Sequence, residues 1–101
     1  MANPALRQLE KHIHRSAADS ANVLWTVHAK SQMRARKVSL PLAVEVLRLG
    51  LIRIQPEDGR GGGLVCRLER FVAGVQVAVV VHVDYPDPDL TVITVIDVNG
   101  D

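Results

Sequence analysis

The sequence predicts an α+β domain in which N-terminal helices pack on one face of a four-stranded antiparallel β-meander. Three observations predict it. The 101 residues supply one hydrophobic core and not two. The apolar period is close to that of a helix up to Gly50 and close to two beyond it. Val75, Val77, Val79, Val81 and Val83 place valine at every odd position of one segment, a strand with one face to bury. Residues 1–22 read as an amphipathic helical extension and residues 23–101 as a single α+β domain.

Asn3 is the expected N-cap of the first helix, over about residues 4–18, with Pro4 at its first position and Leu6, Leu9, Ile13 and Ala17 on one stripe. Asp19 to Asn22 form a polar break, and Val23 to Val27 read as a brief strand. A second helix is expected over His28 to Lys37, with basic residues toward the end that complements the helix dipole. Ser39 caps a third, in which Leu40, Ala43, Val44 and Leu47 share a face and Gly50 provides a left-handed C-terminal cap. The meander then runs through Leu51–Gln55, Leu64–Val72, Val75–Val83 and Leu90–Val98. Its turns are the glycine-rich loop at 56–63, Ala73-Gly74, and Tyr85–Asp89 with Pro86 and Pro88.

Composition excludes several classes of function. Aromatic residues make up 3% of the chain, too few for a base-stacking platform. The net charge of +1 makes the whole molecule no magnet for phosphate. The distribution is more polarised: Lys30, Arg34, Arg36 and Lys37 cluster without an acid, whereas Asp84, Asp87, Asp89, Asp97 and Asp101 crowd the C-terminal end. The single cysteine, Cys66, suits a reducing compartment, and no secretory signal or membrane span is read, so a cytoplasmic location is expected.

Several chemical constellations fail on spacing. His12 and His14 stand about 200° apart around a helix and cannot chelate one ion, so no metal and no cofactor is expected. The Gly59–Gly63 tract lacks the Lys-Ser/Thr and the following helix of a phosphate loop, and reads as a hairpin loop or a flap over a groove. Ser16, Ser20, Ser31 and Ser39 lack a nucleophile elbow, and Cys66 falls on the core side of its strand. What remains is His28-Ala29-Lys30-Ser31-Gln32-Met33-Arg34-Ala35-Arg36. His28, Gln32 and Arg36 form one i, i+4, i+8 row, beside a row of Ala29 and Met33 that can enter the core. An imidazole that exchanges protons near neutral pH thus lies in line with a guanidinium suited to phosphate.

This stretch, followed by Val38-Ser39-Leu40, a helix ending in Leu49-Gly50 and a last strand with Val92-Ile93-Thr94-Val95, resembles a bacterial domain-of-unknown-function family, number 4258. The family pattern begins His-Ala-x-x-Arg-Met-x-x-Arg. His28, Ala29, Met33 and Arg36 agree with it, and Gln32 stands where the family has arginine. The resemblance covers about residues 25–98. The family is similar to the RelE/ParE-like toxins and to the wider group of small metal-independent ribonucleases built from two helices against a four-stranded antiparallel sheet. The resemblance implies attack of a ribose 2′-hydroxyl on the adjacent phosphate, which needs a proton acceptor, a proton donor and a cation over the phosphorane. It assigns His28 as acid or base, Arg36 as phosphate clamp, and Thr94 as a hydrogen-bond partner of His28 or of the phosphate. Lys30, Gln32, Arg34 and Lys37 are then the substrate-binding residues, and His82 is a second proton carrier of lower rank.

RNA is the partner of that reading. RelE-type enzymes are strongly basic and this chain is not, and ParE-type proteins act by binding a partner enzyme. A second reading is therefore a non-catalytic interaction module of a toxin-antitoxin or immunity-type system. Its partner is an antitoxin-like protein, or a twin bound through the N-terminal helix. In a third, the motif is structural and His28 donates to a strand carbonyl at the start of its helix.

Overall fold

The computed structural model describes residues 4–100, so the expected Asn3 cap lies outside the described residues. Helix α1 spans Leu6–Ala17, and a short 3-10 turn, Ser20–Asn22, leads into strand β1, Val23–Trp25. Helices α2 (Val27–Arg36) and α3 (Leu40–Leu49) follow. The remaining strands are β2 (Leu51–Ile52), β3 (Glu57–Asp58), β4 (Leu64–Val72), β5 (Val75–Val83) and β6 (Leu90–Asp97). The class is α+β, as expected.

The sheet is larger and more varied than a four-stranded antiparallel meander. It has six strands in the order β1-β6-β5-β4-β2, with β3 also paired to β4. β4, β5 and β6 are antiparallel neighbours. β1 pairs with β6 in parallel, Val23 opposite Leu90 and Trp25 opposite Val92. The strand expected over Leu51–Gln55 is cut short at Ile52, and two residues of the expected loop, Glu57 and Asp58, form β3 against Val65 and Leu64. Pro56, which has no N–H to give a ladder, stands between the two short pieces. A three-residue strand carries no readable period, so only its tertiary partner reveals the direction of β1.

One core joins all the layers. α2 packs on β6, α3 on β4 and β5, and α1 on α3. Leu9, Ile13, Ala17, Ala29, Met33, Ala43, Leu47, Leu68 and four valines of β5, Val77, Val79, Val81 and Val83, belong to one buried cluster. The α1 stripe therefore covers this chain's own core, with Leu6 left 43% exposed at its end. Removing that much apolar surface from water, about 25 cal/mol per Å², is what holds α1 to the rest. Polar ties add direction. Glu10 Oε2 accepts the Ile52 N–H at 2.7 Å, His14 donates to the Gly50 carbonyl at 2.6 Å, and Arg48 donates to the Ala17 carbonyl at 2.9 Å.

Two local expectations change. In α3 the buried set is Ala43, Val46 and Leu47, while Leu40 is exposed and Val44 half-buried. Gly50 is extended, with φ −71° and ψ 165°, and not left-handed. Its glycine is explained by crowding instead, because a Cβ there would lie 2.4 Å from the Val46 carbonyl oxygen. A left-handed helix cap occurs instead at Lys37, which closes α2 at φ 58°.

Candidate functional site

α2 presents the candidate site along one edge. Its first turn is set by Thr26, the N-cap, whose Oγ1 accepts the Ala29 N–H at 3.1 Å. The same hydroxyl lies within donating distance of the Val92 carbonyl, at 2.8 Å, and of the Ile93 carbonyl, at 3.2 Å. The Thr26 N–H also reaches the Val92 carbonyl, at 3.3 Å. One side chain thus starts the helix and ties it to β6. Ala29 and Met33 then enter the core as the second row of α2.

The first row faces outward. His28 and Arg36 are exposed and Gln32 is half-buried, and the unbroken helix keeps the three on one line. Lys30, Arg34 and Lys37 are exposed around them. No acid occurs between Asp19 and Glu45, so the whole segment that carries α2 has only basic ionisable side chains. Lys30, Arg34 and Lys37 make no ion pair among the described residues. The structural role expected of His28 belongs to Thr26: His28 makes no hydrogen bond among the described residues, and the strand carbonyls are met two residues earlier.

Thr94 and His82 lie elsewhere. Thr94 pairs with Val80 and His82 with Thr91, on the alternate positions to the core valines, so both belong to the sheet face away from the helices. Neither is brought to His28 by a hydrogen bond among the described residues. His82 instead donates to the Gly62 carbonyl at 2.9 Å. That bond pins the hairpin loop between β3 and β4, and a Cβ at Gly63 would lie 2.6 Å from the His82 ring. On the same face, Arg67 and Gln76 both donate to Glu69, at 3.0 and 3.3 Å.

Among the described residues, clefts are formed by other side chains. One lies between Ile54, Gln55, Glu57, Val65, Arg67 and Val80 on the open sheet face. A second lies where Pro4, Leu6 and Leu9 meet Gln55, Pro56 and Leu64. The third is bounded by α1 and Tyr85. None of these three includes His28, Gln32 or Arg36. Among the described residues, no helix is long and apolar enough to cross a membrane. Cys66 is fully buried, and burial pushes its thiol up to about 11, which makes it a poor nucleophile.

Reasoning from the sequence missed Thr26, although a threonine just before the periodic segment is an N-cap signal. It also missed the bonds of His12 to the Asp87 carbonyl and of His14 to the Gly50 carbonyl, which no local pattern announces. Compared with known proteins, the chain matches no family model, no curated protein and no solved structure.

Proposed function

We propose that this protein is toxin-like and acts on RNA through α2, as a metal-independent endoribonuclease. The observation that carries the reading is the exposed edge of α2 with His28 at its first turn and the basic Lys30, Arg34 and Lys37 after it, in a segment that itself contains no acid. Lys30, Arg34 and Lys37 steer the phosphate backbone, Gln32 donates its amide to a phosphate oxygen, and Arg36 holds the phosphate. His28 takes the proton of the ribose 2′-hydroxyl as that oxygen attacks phosphorus; the bond from phosphorus to the 5′-oxygen breaks and the departing oxygen takes up a proton, leaving a 2′,3′-cyclic phosphate and a 5′-hydroxyl. Thr94 acts only on a strand that reaches round to the open sheet face.

The test is RNA degradation in the presence of a chelator, together with growth arrest on expression. Wild type is set beside His28→Ala and Arg36→Ala, with circular dichroism confirming the fold of each. Loss of cleavage in folded His28→Ala supports the enzyme, and equal cleavage by all three ends it. Binding alone is read from salt dependence. Removing Lys30 and Arg34 together should lower the slope of log K against log salt by about 1.4, at about 0.7 per phosphate contact on a single strand.

A second reading, a non-catalytic module that binds an antitoxin-like protein, is favoured by one observation. β1 is an edge strand, and Leu24 and Val27 beside His28 are 64% and 84% exposed. Such an edge with adjoining apolar side chains is a template for a partner's strand. Growth arrest that survives His28→Ala but is lost in Leu24→Lys would select this reading over the first.

A further inference from the structure

The exposed side of α1 carries a second basic site that owes nothing to α2. Gln8, Lys11, His12, Arg15 and Tyr85 enclose a cleft of about 170 Å³. Four of the five come from one helix: Gln8 and His12 form one i, i+4 row, and Lys11 and Arg15 form the next. His12 sets the opposite wall, because its ring donates to the Asp87 carbonyl at 2.8 Å and stands edge-on to the Tyr85 ring at 4.9 Å between centroids.

Among the described residues, none lining the cleft is an acid. Glu10, the one carboxylate on α1, is turned inward and bonded to the Ile52 N–H. Asp84, Asp87 and Asp89 share a connection with Tyr85, but none lines the space. Lys11 and Arg15 are exposed, and neither is ion-paired to a carboxylate among the described residues. The cleft thus places two cations, neither paired to a carboxylate among the described residues, at the rim of one concavity.

We propose that this cleft binds a dianionic phosphate monoester. The two charges match, and the ammonium, the guanidinium fork, the Gln8 amide and the Tyr85 hydroxyl offer convergent donors to three terminal oxygens. A phosphate diester brings one charge and two terminal oxygens, and leaves part of that set unused. His12, held by the Asp87 carbonyl, positions Tyr85 and is not itself a required donor.

The test is a titration of the whole chain followed by amide chemical shifts, at a pH above the second ionisation of phosphate. The probes are inorganic phosphate, uridine 5′-monophosphate and dimethyl phosphate. Inorganic phosphate and the monoester are expected to move the amides of α1 and Tyr85, and dimethyl phosphate to bind at least about tenfold more weakly. Lys11→Gln should weaken the monoester by about tenfold, and adding Arg15→Gln should weaken it again. Equal binding of the diester, unchanged affinity in Lys11→Gln, or shifts confined to α2 would overturn the assignment. Both substituted side chains are exposed, and a dispersed amide spectrum confirms the fold of each variant.

Discussion

Thr26 joins local and tertiary structure, and Thr26→Val isolates what it does. Valine keeps the shape and removes the hydroxyl, so two interactions vanish together. The first is the cap on Ala29 N–H, worth about 1 kcal/mol at an N-terminus. The second is the bond toward the Val92 and Ile93 carbonyls, worth about another 1 kcal/mol net for a half-buried group. Val92 retains the Thr26 N–H as a donor, which keeps the second figure from rising further. The expected loss is about 2 kcal/mol, or about 8–16 °C in Tm for a domain of this size. Thermal and urea unfolding by circular dichroism would measure it, with an unchanged urea slope showing that only stability moved. Thr26→Ser keeps both bonds and should stay within about 0.5 kcal/mol of wild type. The reasoning is refuted if Thr26→Val also falls within that margin, or if serine is as damaging as valine. Because the same residue seats α2, amide exchange at Ala29 and Lys30, whose N–H groups bond the Thr26 hydroxyl and carbonyl, should quicken in the valine variant.

Three further outcomes are expected. Glu10→Ala strips the buried Ile52 N–H of its acceptor and should cost about 1–3 kcal/mol, whereas Glu10→Gln keeps an acceptor oxygen and should recover part of that in urea unfolding. Gly63→Ala should destabilise more than Gly61→Ala. Both glycines have positive φ, 72° and 75°, but only at Gly63 does the new methyl meet the His82 ring, so equal melting temperatures would contradict the contact. Cys66 in the native chain should be alkylated about hundredfold more slowly at pH 8 than in denaturant, because burial raises its thiol from 9.0 to about 11. The sign of the linked stability follows. Below pH 9 both states keep the proton; from pH 9 to 11 only the unfolded chain gives it up, so stability falls with rising pH there, and Cys66→Ala should remove that slope.

Helix periods and strand alternation were legible because they are written between near neighbours. Leu9, Ile13 and Ala17 on α1, Ala29 and Met33 on α2, and Leu64, Cys66 and Leu68 on β4 are buried where their spacing places them. The exposure of His28 and Arg36 and the inward turn of Met33 also follow from one helical register. Where the local pattern was thin, it misled. Gly50 has the position of a left-handed cap but sits in extended backbone, packed against the Val46 and Glu69 carbonyls. Glu57 and Asp58, two acids in a stretch of turn residues, form a strand because Val65 and Leu64 lie beside them. Thr94 shares a segment with Val92 and Val95 but belongs to the opposite sheet face, since an irregular register between Val80 and Val81 shifts the alternation of β6.

By itself the sequence determined the α+β class, the order of helices before strands, the buried valine face of β5 and the basic edge of α2. Each is a repeat or a cluster within a few residues, and burial has only to act on it. Tertiary structure alone decided the parallel union of β1 with β6, the clamp of Thr26 on carbonyls 66 and 67 residues away, and the meeting of α1 with Tyr85. Those contacts depend on which distant segments share one core, and hydrophobic burial, having no direction of its own, leaves that choice to the packing of the whole chain.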